Sequence, residues 1–498
     1  MDVRKYPIFV GIIVTNLVGC AVAYAQSSSP SQRYDDINDI VLPQQQLAIE
    51  NKAIIAQVEE ANQQSQLAAN LSSADDQAPL SLSREQLRDY PDIVVRALIP
   101  ALAQDDASTI QLILSAYKQQ PDADPDFVQW GEAILAKSAD QYAQAIDTYR
   151  YLISQHPEVF AVRFQLAQSL YLNHEDEAAY DQFEKLRAQN LDQTTAEVIT
   201  AYIERLQSRQ SWSVDGGINY VKDKNINNAP KANTVFGNWK AWDAQSAEGV
   251  DYQFSANKKW PLTKGYFSKL SANTFGSHYF DNSRYNEVTT RLATGVGYQN
   301  AKVEAEVMPF VSQRWYANND KQKLAPFSRR AGVQLNGRYW LSNQLQTTNT
   351  VEVARQLYKE RSHLTGESYF LSTGLLYIPK ATQYWFGNIN YYRNNADAKD
   401  DAFNRYGVRF GWGQEWQHGI STIASVNLAN RDYLAAGRLL DKRQKNDEMS
   451  VDLTVWHRNV HALGFTPRLT FNYEKVDSNH PFYTFDKKNV SIGLTKQF

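Results

Sequence analysis

Cysteine is almost absent: the chain has one, Cys20, in 498 residues, and only three methionines. A single thiol builds neither a disulfide framework nor a thiolate zinc cage, since both need at least a pair. Long apolar runs are missing too. The apolar run Ile8–Val18 is short, and no segment reaches the roughly 20 apolar residues that a membrane-crossing helix needs. The eight histidines are scattered, and His457 and His461, four apart, fall on strand-and-turn sequence rather than on a helix face that would aim both at one ion. There is no glycine-rich phosphate loop and no serine in a nucleophile-elbow setting. The expectation is a protein that is not an enzyme, with no catalytic residue, cofactor or metal.

From about Ser211 to Phe498, apolar residues fall on every second position. The clearest stretch is Tyr406-Val408-Phe410-Trp412, with Arg405, Gly407, Arg409, Gly411 and Gly413 between. Met449-Val451-Leu453-Val455 and Val490-Ile492-Leu494 repeat the pattern. A period of two describes a strand with one apolar and one polar face. Strands of about ten residues cross a bilayer when they close into a barrel. Fourteen strands are expected, beginning near residues 211, 249, 266, 287, 301, 329, 343, 368, 383, 404, 419, 447, 464 and 488. Short turns alternate with longer connections, the longest being Lys222–Glu248, which has room for an extra element. Tyr298, Trp340, Tyr377, Trp416 and Trp456 flank the short turns and read as an interfacial girdle. An even strand number puts both barrel ends on the short-turn, periplasmic side of an outer membrane.

Residues 84–208 switch to helical periodicity. Ala133, Ala145, Tyr149 and Leu152 recur 34 positions later as Ala167, Ala179, Phe183 and Leu186, with Pro157 twelve residues after Ala145. That is the tetratricopeptide pattern, in which small residues let two helices cross closely. Ordinary antiparallel helices with accidental spacing are the alternative. Residues 84–120 supply helical material before the repeats, and Thr195–Gln207 reads as a capping helix. The repeat template puts Trp130, Lys137, Phe164, Gln168 and Tyr171 on the concave face, as client contacts or as packing residues.

The N-terminus reads as an export signal over residues 1–25. Arg4 and Lys5 precede Ile8–Val18, and Ala23-Tyr24-Ala25 precedes Gln26. Leu17-Val18-Gly19-Cys20 also resembles a lipobox, but cleavage after Ala25 is favoured because a barrel already supplies a membrane anchor. Residues 26–83, rich in Gln, Ser, Ala and Asp, read as a flexible periplasmic lead-in.

The net charge of −3 conceals a division. Residues 1–208 carry 14 basic against 29 acidic residues, and residues 209–498 carry 37 against 25. Either these are two solvated surfaces of chance imbalance, or a basic barrel meets an acidic or anionic partner. Gly216-Gly217 in the first strand raises the possibility of a weak seam against the last strand, opening sideways; making room for packed aromatics is the commoner use of barrel glycines.

An export signal, a tetratricopeptide-like domain and a barrel of about fourteen strands ending in FTPRLTFNYEKVDSNHPFYTFDKKNVSIGLTKQF together resemble the Slam family, the surface lipoprotein assembly modulators of Gram-negative type XI secretion. The resemblance spans Arg84 to Phe498. It implies an outer-membrane translocon that moves a client, either a surface lipoprotein or a soluble haem- or metal-acquisition protein. The partners expected are that client, outer-membrane lipids and the barrel-assembly machinery, for which Phe498 would serve, and no nucleic acid. The alternatives are an exopolysaccharide exporter, which also joins such repeats to a barrel, and a diffusion porin.

Overall fold

A computed structural model describes residues 86–189, 191–317, 322–342, 344–380, 382–437, 442–460 and 465–497. The expected export signal, Cys20, the whole of the lead-in and Phe498 lie outside the described residues.

Among the described residues seven α-helices precede the strands: α1 (Pro91–Ala103), α2 (Ala107–Tyr117), α3 (Pro125–Ser138), α4 (Tyr142–Gln155), α5 (Phe160–Leu172), α6 (Asp176–Arg187) and α7 (Gln193–Arg209). Their starts follow from local chemistry. Proline opens α1 and α3, where its missing N–H costs nothing. Asp106 caps α2 by accepting from the amides of Ser108 and Thr109, each at 3.1 Å, and Asp192 caps α7 through Thr195. Helices pair as hairpins, and Ala133, Ala145, Ala167 and Ala179 are fully buried where paired helices cross.

A third hairpin, α1–α2, precedes the two legible from the alanines. Asp105, Asp140 and His174 follow α1, α3 and α5 at spacings of 35 and 34, all in the left-handed region at φ 61°, 58° and 59°. In that first hairpin Leu98 and Ile110 stand where Ala133 and Ala145 stand in the second. The residues that mark the repeat are therefore missing from a unit that still folds in its shape.

Sixteen strands follow: β1 (Trp212–Asp223), β2 (Val235–Phe236), β3 (Trp239–Lys240), β4 (Ala247–Pro261), β5 (Tyr266–Tyr279), β6 (Glu287–Gln299), β7 (Val303–Tyr316), β8 (Ala325–Trp340), β9 (Leu345–Tyr358), β10 (Gly366–Lys380), β11 (Gln383–Ala396), β12 (Phe403–Glu415), β13 (Ile420–Ala436), β14 (Arg443–His457), β15 (Thr466–Ser478) and β16 (Phe485–Gln497). Fourteen of them, β1 and β4–β16, form one closed antiparallel barrel, and β2–β3 is a small hairpin within the longest connection. Closure joins the first strand to the last, so the backbone along the paired rungs is satisfied within the wall.

The alternation sorts side chains as a barrel requires. Tyr406, Val408 and Phe410 face outward and are about half exposed, while Arg405 and Arg409 face the lumen and are buried. Gly411 and Gly413 lie beneath the lumenal rings of Phe386 and Tyr384, so these glycines do make room for aromatics. The girdle needs correction. Trp340 pairs with buried Gln346, and Trp456 with buried Ser421, so both indoles turn into the lumen. Neighbouring Tyr339 takes the outward place, with Trp260, Tyr266, Tyr377 and Trp416 around the same rim. A single-residue difference in strand parity reverses the face. The long-loop connections after the first are also shorter than the sequence implies, six to eight residues. Polar rungs such as Arg431↔Asn446 and Asp432↔Lys445 continue the ladder beyond the apolar band, so strand outlasts hydrophobic pattern.

Candidate functional site

The first helices of successive hairpins stand side by side, and the five concave-face candidates fall among them. They are wired to one another. Lys137 donates to Asp105 at 2.5 Å and to Gln168 at 2.8 Å, and Gln168 donates to Tyr202 at 3.3 Å. One polar ladder thereby runs from the end of α1 through α3 and α5 to α7. Trp130 donates to Gln165 at 2.5 Å, and Gln165 to the carbonyl of Leu102 at 2.7 Å. Phe164 meets Phe160, Phe183 and Tyr202 through ring contacts of 5.9–6.3 Å. Tyr171 is nearly buried, packed on Tyr202 and covered by the Arg209 guanidinium 3.9 Å above its ring. Trp130, Lys137, Phe164 and Gln168 keep partial exposure along the row. Asp105 and Tyr202 complete it and were not singled out from the sequence, although Asp105 lies on the 34–35-residue turn spacing.

The junction with the barrel is short. Helix α7 ends at Arg209 and β1 begins at Trp212, leaving two residues between. Arg209 pairs with buried Asp176 at 2.7 Å and donates to the Tyr171 carbonyl at 3.1 Å, tying the exit of the helical domain to its last hairpin. Lys258 on β4 donates to the carbonyl of Gln210, and α6 lies against the short turn Thr263–Gly265. Burial pushes His174, in the α5–α6 turn, down to about 4. Arg209 adds to that and Asp176 opposes it; Lys259 and Glu304 on the barrel rim act in the same two directions. The helical row and the short-turn mouth are therefore held in contact.

The lumen wall is charged and paired. Glu352 is fully buried between Arg291 at 3.0 Å and Arg330 at 2.8 Å, and Glu448 sits between Arg405 at 2.8 Å and Arg431 at 2.7 Å. Such buried ions persist only when paired. Among the described residues there is no cluster of three or more potential metal ligands.

At the seam, Gly216 pairs with Lys496 and Gly217 with Thr495, within the part of the β1–β16 ladder that is formed. A Cβ at Gly217 would meet the Gln253 side chain at 3.3 Å, so this glycine is not seated beneath an aromatic ring.

These features define a class: an outer-membrane β-barrel with a tetratricopeptide-type helical domain at its short-turn mouth. The comparisons agree and go further. Residues 212–498 match the family described as surface lipoprotein assembly modifier, and residues 80–183 match its N-terminal TPR repeats. The chain belongs to the surface lipoprotein assembly modifier family. Surface lipoprotein assembly modifier 1 of Haemophilus influenzae is 42% identical over 421 residues, covering 84% of this chain and 87% of that one. The like-named protein of Neisseria meningitidis is 32% identical over 84% of this chain and 86% of its own. The hemophilin secretion modulator of Acinetobacter baumannii is 24% identical over 82% of this chain and 86% of its own. Among solved structures, OccAB3 of Acinetobacter baumannii aligns at 8% identity and a TM-score of 0.32, covering 58% of this chain and all of that one. That likeness is too slight to carry a functional argument.

Proposed function

We propose that this chain is an outer-membrane translocon that captures a client protein in the periplasm and passes it through the barrel to the cell surface. The observation that carries the reading is the two-residue junction, which holds a protein-binding type of helical row against the mouth of a barrel. Relatives named for surface lipoprotein assembly and for hemophilin secretion make the client a surface lipoprotein or a soluble secreted protein of that kind. On this reading residues 1–25 are the export signal, 26–83 the lead-in, 84–208 the periplasmic helical domain and 209–498 the barrel, which the barrel-assembly machinery inserts. Trp130, Lys137, Phe164, Gln168 and Tyr171 mark the client groove. No step in this passage calls for a catalytic group. The test is deletion of the gene followed by proteomics of the cell surface and the medium. The expected result is loss of one or a few exported proteins, restored by the intact gene. Unchanged protein export with loss of a surface polysaccharide would replace this reading with polysaccharide export.

A further inference from the structure

The wall of the barrel is not equally zipped all round. Thirteen of the fourteen strand junctions carry between eleven and fourteen paired positions, whereas β1–β16 carries seven, from Asp215↔Gln497 to Val221↔Ser491. At the short-turn end three residues of β1, Trp212–Val214, run on past Gln497, and the longer unpaired stretch lies at the long-loop end. Phe485–Val490 of β16 all pair with β15, but none of these six has a rung on β1 among the described residues. Beyond Val221, Lys222 and Asp223 pair only with β4, and the chain then turns inward, burying Ile226 against Ala247 and Tyr279. A smaller break, opposite Pro309 on β7, is flanked by rungs on both sides, so that junction stays sewn above and below.

Side chains close what the backbone leaves open. Lys487 of β16, almost fully buried on the lumenal side, reaches Asp223 of β1 at 3.7 Å, Glu474 of β15 at 3.2 Å and Asn228 of the first long loop at 2.9 Å. The same loop lies over the β15–β16 connection, with Phe236 on His480 and Phe482, and Trp242 on Phe482, at 5.9–6.4 Å. Outside, Val490, Ile492 and Leu494 face lipid. An unpaired strand edge would bond to another chain or to water if left bare, and here it is strapped by one buried ammonium and a loop. Breaking a clasp of ion pairs costs far less than unzipping the eleven or more rungs found at every other junction.

We propose that the long-loop half of the β1–β16 seam is a lateral exit through which the acyl chains of a lipidated client pass from the lumen into the outer leaflet, with Lys487 as its clasp. This rests on the translocon reading and its orientation. It moves the opening away from Gly216 and Gly217, which lie in the paired half.

The test is a seam lock in the full-length protein in cells. Val221→Cys with Ser491→Cys joins the topmost rung and fixes the spacing of β1 and β16 at the edge of the unpaired half, so that the exit cannot widen by unzipping the rungs below; Thr454→Cys with Thr470→Cys, across the fully paired β14–β15 junction, serves as the control lock. Lipoproteins labelled with alkyne-palmitate are counted after biotinylation of intact cells, and soluble proteins are counted in the medium. With the seam lock oxidised, palmitate-labelled surface protein is expected to fall to the level of the deletion strain and return on reduction, while soluble export and the control lock stay at wild type. Undiminished surface lipoprotein behind a verified seam disulfide would overturn the exit, as would an equal block of lipidated and soluble export. A deletion strain that matches wild type in both fractions would overturn the translocon reading itself. As a second readout, Lys487→Met is expected to raise the reactivity of Ser491→Cys towards a membrane-impermeant maleimide several-fold, and unchanged reactivity would dismiss Lys487 as the clasp.

Discussion

His174 is half-buried at the point where the helical domain meets the barrel rim, and its left-handed backbone marks the turn of the last hairpin. Its pKa, pushed down to about 4 by burial and then by Arg209, lies below the ordinary imidazole value near 6.5. Between those limits the unfolded chain takes up a proton that the folded junction refuses. The stabilisation is therefore complete above about pH 6.5 and is lost as the pH falls towards 4. His174→Asn keeps a residue type that tolerates positive φ and removes the titration. The variant in detergent is expected to show a flatter fall of helical melting temperature between pH 6.5 and 4 than wild type, followed by far-UV circular dichroism. Equal slopes would mean that other groups set the acid sensitivity.

At the scale of single elements, strand β12 shows how glycine and aromatic residues divide the lumen. A Cβ at Gly411 would come within 2.1 Å of the Phe386 ring on the adjacent strand, so Gly411→Val must displace a ring packed among lumenal neighbours. Overpacking of this kind costs about 1–3 kcal/mol. The expected outcome is a lower yield of barrel that keeps its compact mobility on unboiled gels, and Gly411→Val with Phe386→Ala should recover it. The same strand explains what could be read in advance. Tyr406, Val408 and Phe410 alternate cleanly against Arg405 and Arg409, and the expected strand starts lie within four residues of those observed. Trp340 and Trp456 misled because an indole suits either a rim or a polar lumen, and only register decides between them. The seam was invisible for another reason. Nothing in a strand's own residues records how many rungs it shares with a partner more than 260 positions away. Lys487 and Asp223 look like ordinary charges until closure brings them together. In the helical domain, Leu98 and Ile110 disguise a repeat that Asp105 and Asp140 announce through turn geometry rather than through packing.

Across the whole molecule, charge is unevenly shared. The segment 1–208 has an excess of 15 acidic residues and the segment 209–498 an excess of 12 basic ones. On the proposed function, a basic patch on the client gains from long-range attraction to the acidic helical domain, which salt screens within about 10 Å at 0.1 M. Client binding to the full chain, measured by pull-down against the exported protein that deletion identifies, is expected to weaken about tenfold between 50 and 500 mM sodium chloride. Salt-independent binding would assign capture to the aromatic positions Trp130 and Phe164 instead.

Helix α7 also acts as a ruler. Its 17 residues span about 25 Å, and its C-terminal end is both pinned through Arg209 and only two residues from the barrel, so that length is not adjustable. On the proposed function, a client gripped beside the N-terminal end of α7 has a set gap to cover before its leading segment enters the mouth. About eight extended residues cover it, so a client whose leader is shorter than that would be caught and never threaded.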